Sequence, residues 1–465
     1  MKLTVIGGGS VRTPQLIPAL IRRARRLNLT ELWLMDTDAE KLDLIGGLCR
    51  HLAADAPFSV HFTTEAETAI AGAHHVVTSI RPGGEQGRAT DERICFGLGV
   101  LGQETTGAAG FAMALRSIPA IVDYARMVRE VGAPGAWLYN FTNPAGLVAQ
   151  ALQDAGFDRV LGICDSANGA QNAVSHHLGV PKNQVHHTVY GLNHLSWTPS
   201  VRVGCEADGS GGEEVFPALL GDPRFVGGTH MSLFAPGVVT WQRAFLNEYL
   251  HYFYHRDEAL TALLKKPETR GEETLRLTRG LLERLRGLRG NDVAGLAAYH
   301  EVMAARGATY MAHARRADVP RPTLERPASP DTPTAPHDDE GYAGVVMNCI
   351  TAIENDEPTY TGLNVPNQGA IVGLADDDVV EIGCWVDAHG VRPEAVGEIP
   401  PDRLTLMRSV KLYERLAAQA ALTRNAGLAV QALTAHPLVG SYPLAERLVD
   451  AFLSAHEALI GAWRR

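Results

Sequence analysis

At 465 residues, with 45% hydrophobic and 20% charged side chains, the chain has the balance of an ordinary globular protein and exceeds what one core usually holds, so two closely packed domains are expected. The formal net charge of -10 argues against a general nucleic-acid binder, and no apolar run is long enough to cross a bilayer, which excludes a membrane-spanning role. Met1-Lys2 leads straight into a strand without a signal-peptide pattern, and the six cysteines are scattered, which together point to a reducing cytoplasm.

The first element is a buried strand over Leu3–Ile6 that runs into Gly7-Gly8-Gly9-Ser10-Val11-Arg12. Glycine lets the backbone take positive φ and lets a pyrophosphate approach the amides at the next helix N-terminus. That helix is expected over Pro14–Leu27, with Leu16, Ile17, Leu20 and Ile21 as its apolar stripe. A second strand, Leu32–Met35, ends at Asp36, where a dinucleotide fold carries its ribose-binding carboxylate. This unit predicts NAD rather than NADP, held by Gly7, Gly9, Ser10, Val11, Arg12 and Asp36. Its fingerprint is imperfect, since Arg12 stands where a third glycine is expected, and an ordinary strand-to-helix turn would also use glycines.

Strand and helix signals go on alternating through the first third. Ser59–Thr63, His75–Ile80, Ala136–Phe141 and Arg159–Cys164 read as strands, with helices such as Glu40–Ala53 and Ile118–Val131 between most of them. The pattern predicts an α/β fold: a Rossmann-like doubly wound parallel sheet in residues 1–165, then a mixed, largely helical α+β domain in residues 166–465. In the second part, Glu248–Leu264, Glu272–Leu288, Ser409–Leu433 and Leu444–Ala462 read as long helices. Ile371–Leu374 and Val379–Val386 read as strands of a small sheet beside them. Ala207–Glu213 reads as a mobile Gly-Ser-acid loop, and Val319–Asp339, with six prolines, as an irregular excursion.

Arg81-Pro82-Gly83-Gly84, Asn140–Asn143 and Cys164-Asp165 fall at the C-terminal ends of strands, where ligands of such a sheet gather. Arg81-Pro82-Gly83-Gly84, Gly102-Gln103-Glu104-Thr105-Thr106-Gly107, Asn140–Pro144, Gly162-Ile163-Cys164-Asp165, Tyr190–His194 and Tyr249-Leu250-His251-Tyr252 follow the glycine turn in order. In residues and order they resemble glycoside hydrolase family four, the NAD- and metal-dependent glycosidases, and the likeness runs from Met1 to about Leu438. Within that family the chain looks most similar to the 6-phospho-β-glucosidases. The resemblance also implies a fold distantly related to lactate and malate dehydrogenases.

The resemblance implies a divalent metal, usually manganese, held by Cys164 and His194, with His176, His177, His186 and His187 as nearby alternatives. It implies redox-assisted elimination: NAD takes hydride from C3 of the sugar, a base removes the C2 proton, the C1 oxygen leaves, water adds and hydride returns. The family's base matches Tyr249, or Tyr252 or Tyr254 if the alignment slips by a turn. Glu104 and Asn143 resemble sugar-hydroxyl ligands, Arg270 an arginine near O3, and Arg88 has the fork geometry to take a 6-phosphate. Asp165 departs from the β-type pattern, which usually carries asparagine there; aspartate is typical of 6-phospho-α-glucosidases, where it is the general acid. The substrate implied is a phosphorylated disaccharide or glucoside, such as cellobiose 6-phosphate, cleaved to glucose 6-phosphate by a homodimer or homotetramer. Three readings compete: a phospho-α-glucosidase of the same family; an NAD-dependent 2-hydroxy-acid dehydrogenase, which would not need the Cys164/His194 pair; and a non-catalytic NAD-binding sensor, which would keep residues 1–36 but has no reason to keep Cys164, His194 and Tyr249 together.

Overall fold

The computed structural model describes residues 1–316 and 341–464, so the proline-rich Val319–Asp339 lies outside the described residues. Among the described residues, thirteen strands form one sheet. They are β1 (Lys2–Ile6), β2 (Glu31–Met35), β3 (Ser59–Thr63), β4 (His75–Thr78), β5 (Trp137–Asn140), β6 (Val160–Gly162), β7 (Val185–Leu192), β8 (Leu195–Cys205), β9 (Gly211–Glu214), β10 (Phe245–Leu246), β11 (Thr359–Pro366), β12 (Val379–Asp387) and β13 (Gly390–Pro393). The first six run parallel in the order β3-β2-β1-β4-β5-β6, the doubly wound arrangement expected from the alternating signals. Strands buried on both faces need near-continuous apolar runs, and β1 supplies Leu3, Val5 and Ile6 at no more than 2% exposure.

The glycine turn is forced by packing. Gly7 takes φ +94°, and a Cβ there would lie 2.3 Å from the Ser79 carbonyl oxygen; one on Gly8 would lie 2.7 Å from Leu34 Cβ. The close approach lets the amides of Gly7 and Gly8 both donate to the Met35 carbonyl, at 2.8 and 2.7 Å. The helix that follows spans Thr13–Arg23, ending a turn before the expected Leu27.

Beyond β6 the sheet continues antiparallel through β11, β12, β7, β8 and β10. The expected separate small sheet is therefore corrected: Val379–Asp387 joins the main sheet between β7 and β11. Ile371–Leu374 is not a strand, because the Asn367 side chain takes its backbone groups, accepting from Ile371 N at 2.8 Å and donating to Ile371 O at 3.1 Å. Glu248–Leu264 is not one helix but three short pieces, Glu248–Leu250, His251–Tyr254 and Arg256–Leu264, with the chain breaking at His255 (φ −129°, ψ 40°). Aromatic and histidine side chains, which crowd residues 251–255, are weak helix formers. Ser409–Leu433 likewise splits at Arg424 into Pro401–Thr423 and Ala426–Ala435, the second capped by Asn425. Part of the Gly-Ser-acid loop pairs as β9 with β8. Among the described residues no helix is long and apolar enough to cross a membrane.

Candidate active site

The C-terminal ends of β1, β4, β5 and β6 open on a cavity of about 1990 Å³. The expected cofactor, metal, sugar and catalytic residues all line it except Gly9, whereas the alternatives His186, His187 and Tyr254 do not. Gly9 acts inside the turn: its amide donates to Asp36 Oδ2 at 3.0 Å, and a Cβ would lie 2.9 Å from that oxygen. Asp36 is thus set by the turn it faces, and its Oδ1 accepts from Asp38 N at 3.1 Å. It closes the second strand in from the edge of the parallel half, since β3 lies outside it.

Cys164 follows β6, and His194 sits in the tight turn between β7 and β8 at φ +63°, a left-handed conformation that few non-glycine residues adopt and that surrounding structure must stabilise. Cys164 Sγ and His194 Nε2 lie 3.5 Å apart. The other ring nitrogen contacts Thr105 Oγ1 at 2.7 Å. Thr105 in turn donates to Gln103 Oε1 at 2.9 Å, and that oxygen also accepts from the amides of Thr105 and Thr106, each at 2.8 Å. With its one hydrogen on Gln103, Thr105 Oγ1 can only accept from His194, so Nδ1 carries the imidazole proton and Nε2 presents its lone pair toward Cys164. Burial lowers His194 to a pKa of about 4, which keeps the ring neutral at pH 7.

This donor set fits a divalent cation. With metal–sulfur and metal–nitrogen bonds of about 2.3 and 2.1 Å, adjacent ligands lie roughly 3.1–3.6 Å apart. Burial, then Glu381 and Asp165, hold the Cys164 thiol well above its usual range, so a cation binding there must displace the proton. Among the described residues no third histidine, cysteine or carboxylate completes a cluster, which leaves further positions to substrate or water. Of the alternative histidines, His176 and His177 line the cavity, His177 near Asp222 at 3.1 Å. His186 is engaged by Glu394 at 3.2 Å, and His187 is fully buried; neither lines the cavity.

Tyr249 lies flat on His194, and its hydroxyl is 3.0 Å from that of Tyr310, which also reaches Glu248 Oε1 at 3.0 Å. Burial, reinforced by Glu248, raises the Tyr249 phenol well above its usual range. Its amide donates to Asn247 Oδ1 at 3.1 Å; Asn247 Nδ2 bridges Ser166 and Ser196, each at 3.2 Å, and Ser166 Oγ contacts Cys164 Sγ at 3.0 Å. The network closes on buried Glu381, which accepts from Ser196 at 2.7 Å and from Asn193 at 2.9 Å. Burial raises Glu381 to a pKa of about 7. Tyr252 lines the cavity and reaches Met311 Sδ at 3.4 Å, whereas Tyr254 does not line it.

The charged wall is heavily paired. Glu104 bridges Arg81 and Arg88, the latter at 2.6 Å, and although burial opposes ionisation these two guanidiniums hold its carboxyl well below the usual range. Arg88 spends a second edge on Glu92 at 2.8 Å. Arg270 donates to Glu273 at 2.8 Å and to the Arg306 carbonyl at 2.6 Å, and its charge is felt at Tyr252. Arg12 packs on the Tyr342 ring, 5.6 Å from its centroid. Burial opposes its charge, but Tyr342 and Asp165 keep its pKa raised. Asn143 lines the cavity at the turn after β5, and Asp165 is exposed on its wall. Sequence reasoning missed Gln103 and Thr105 as supports of His194, and missed Tyr310, Asn247 and Glu381. Gln103 and Thr105 lay inside a quoted motif, whereas Tyr310, sixty-one residues from Tyr249, left no local signal.

Comparison with known proteins gives one consistent result. The model of the family 4 glycosyl hydrolases matches residues 2–180, and that of the family 4 C-terminal domain residues 189–439. A probable 6-phospho-beta-glucosidase of Bacillus subtilis is 32% identical, covering 99% of this chain and 97% of its own. The 6-phospho-beta-glucosidase of Thermotoga maritima, solved with manganese, NAD+ and glucose-6-phosphate, superposes with a TM-score of 0.79 at 27% identity over 99% of both chains. A 6-phospho-alpha-glucosidase from gut microorganisms, solved with NAD and Mn2+, has a TM-score of 0.80 at 25% identity, covering 100% of this chain and 99% of its own.

Proposed function

The chain belongs to family 4 of the glycosyl hydrolases, and from that premise we propose that it hydrolyses 6-phospho-β-glucosides, such as cellobiose 6-phosphate, to glucose 6-phosphate and an aglycone. The observation that carries the reading is the meeting of a neutral His194 lone pair, the Cys164 sulfur and the Tyr249 phenol on one wall of a cavity whose other wall is the glycine turn. NAD, when bound, supplies a hydride acceptor for C3, and a divalent metal, Mn2+ by analogy with the solved relatives, supplies a Lewis acid.

The chain's own residues do the rest. Gly7, Gly9, Ser10, Val11 and Arg12 shape the pyrophosphate turn, and Asp36 receives the ribose hydroxyls. Cys164 and His194 hold the metal, and Tyr249 removes the proton at C2. Asp165, next to Cys164 on the cavity wall, would protonate the leaving-group oxygen. Glu104 and Asn143 take sugar hydroxyls. Arg270 stands near O3 and Arg88 near the 6-phosphate, each with its carboxylate partners as a preset cradle. We assign residues 1–165 as the nucleotide-binding domain, which also lends Arg88, Glu104, Asn143, Cys164 and Asp165 to the sugar and metal, and residues 166–465 as the domain that brings His194, Tyr249 and Arg270. We read the enzyme as a cytoplasmic homodimer or homotetramer.

Asp165 favours one second reading, the 6-phospho-α-glucosidase, because aspartate after the metal cysteine resembles that branch. Paired α- and β-nitrophenyl glucoside 6-phosphates, assayed with NAD and Mn2+, separate the two. Preferential release of nitrophenol from the β anomer is expected. Preference for the α anomer would move the chain to the α branch, and no cleavage of either would remove both.

A further inference from the structure

We infer that Tyr310 and Glu248 are positioning residues that aim the hydroxyl of Tyr249, so that its lone pair faces the cavity while its hydrogen points away from it. The inference rests on Tyr249 being the base that takes the C2 proton.

The argument is a count of donors and acceptors. Tyr310 Oη lies 3.0 Å from Glu248 Oε1 and 3.0 Å from Tyr249 Oη. It owns a single hydrogen, and a carboxylate can only accept, so that hydrogen goes to Glu248. Tyr310 Oη is then an acceptor toward Tyr249, and the Tyr249 hydrogen must lie along that contact. The ring of Tyr249 is fixed independently, flat on His194 with centroids 3.8 Å apart and planes 5° from parallel, which holds Oη in place beside Tyr310 and leaves the direction of its hydrogen to that acceptor. What remains free on Tyr249 Oη is a lone pair.

Glu248 is suited to the end of this chain. It is 6% exposed, and its second oxygen, Oε2, has no hydrogen-bond partner among the described residues; His230 Nε2 stands off at 3.9 Å and is itself unpartnered. Glu248 therefore keeps an acceptor oxygen in reserve. When the C2–H bond breaks, its electron pair stays on the sugar and the proton bonds to Tyr249 Oη. The hydrogen that Tyr249 held passes to Tyr310 Oη, and the one that Tyr310 held passes to Glu248, so each oxygen that gains a proton releases one until the carboxylate is reached. Tyr310 is 42% exposed on the cavity lining, and its hydroxyl is engaged by these two contacts.

Tyr310→Phe keeps the ring and deletes the bridge. With whichever nitrophenyl glucoside 6-phosphate the enzyme hydrolyses, kcat should fall about 10–100-fold, a part of what loss of a base costs. KM, and the dissociation constants for NAD and Mn2+, should stay within about twofold of the unsubstituted enzyme. Substrate deuterated at C2 should show a larger isotope effect on kcat in the variant, because proton removal becomes the slower step. Glu248→Gln, whose amide no longer fixes the direction of the Tyr310 hydrogen, should show the same split, and the double variant should be no slower than the slower single one. Unchanged kcat and isotope effect in Tyr310→Phe, with Tyr249→Phe inactive, would overturn the inference and leave Tyr249 as base. Parallel loss of NAD and Mn2+ binding in Tyr310→Phe would mark a structural role and overturn it equally. If Tyr249→Phe removes the C2 proton at the normal rate, the underlying reading falls and this inference with it.

Discussion

The imidazole of His194 and the phenol of Tyr249 lie face to face, with centroids 3.8 Å apart and planes 5° from parallel. The contact couples the proposed metal ligand to the proposed base, and it separates two properties of Tyr249 that one substitution would confuse. Tyr249→Phe keeps the stack and loses only the hydroxyl, so Mn2+ affinity should be unchanged. Tyr249→Ala removes a ring that restrains His194; aromatic pairs contribute about 0.5–1.5 kcal/mol, which corresponds to a roughly 2–12-fold weaker Mn2+ affinity. Titration of Mn2+ followed by electron paramagnetic resonance measures both, and equal affinity in the Ala variant would show that the stack does not restrain the ligand.

Thr105 tests the tautomer directly. Thr105→Val is nearly isosteric but can no longer accept from His194 Nδ1, so the ring is free to place its proton on Nε2 and present no lone pair to the metal. Mn2+ affinity should weaken about 10–100-fold, the usual cost of losing a partner behind a metal-bound histidine, while NAD affinity stays the same. Calorimetric titration of each ligand on the resting protein distinguishes this from a general loss of fold.

Those two residues also mark where the sequence stops speaking. The strand, glycine turn and terminal Asp36 were legible because they are local: period, turn chemistry and spacing lie within one stretch of chain. That Cys164 and His194 meet was legible only through ordered motifs, since nothing in either residue alone points to the other. Tyr310 and Glu381 were not legible, because their roles exist only where distant elements meet, Tyr310 at Tyr249 and Glu381 at Asn193 and Ser196. Ile371–Leu374 misled in the opposite sense. Its short apolar run suits a strand, yet the Asn367 side chain takes both backbone groups of Ile371, and the segment pairs only through a single bridge, with Gly397. Arg88 reads as a phosphate ligand in the sequence and Arg270 as an arginine near O3, and the fold supplies each with carboxylates that composition could not reveal.

Asp36 carries two duties that Asp36→Ala and Asp36→Asn separate. Both variants lose the charge that favours a ribose diol, so the NAD concentration for half-maximal activity should rise about tenfold or more. Only Ala also leaves the Gly9 amide without its acceptor, which should cost about 1 kcal/mol of stability, seen as a lower denaturation midpoint. If the purified protein neither binds NAD nor responds to it, the redox reading is wrong for this chain.

Stability should fall as the pH drops below 6.5. Burial depresses His187, His194 and His251 to about 4, and His313 and His436 to about 3. Between those values and an unfolded value near 6.5, the unfolded chain binds protons that the folded one refuses. Each such histidine then removes up to about 1.4 kcal/mol per pH unit over that window. Glu381 works with the opposite sign: at about 7 when folded, it holds a proton that the unfolded chain has released down to about 4.5, so acidification stabilises through it. Urea denaturation at pH 7.0 and pH 5.0 should show a lower midpoint at pH 5.0, and Glu381→Gln should widen the gap. A gap narrower in that variant than in the unsubstituted protein would show that Glu381 is ionised in the fold.

The order of events at the sugar is written into the product. If Tyr249 removes the proton at C2 before the C1 oxygen departs, turnover in heavy water should place deuterium at C2 of the released glucose 6-phosphate, whereas displacement by a pair of carboxylates leaves that carbon untouched. Tyr249→Phe should depress both cleavage and exchange, by about the 10²–10⁴-fold typical of losing a general base, while the ring keeps its place on His194 and the substrate still binds. Mass spectrometry of the product measures exchange independently of cleavage, which decides what a failure means. Active enzyme that yields product without deuterium would exclude elimination altogether. Exchange at the normal rate in Tyr249→Phe would keep the elimination and move the base, and Tyr252 would be the first residue to substitute, because it lines the same cavity and its ring lies 6.2 Å from that of Tyr249.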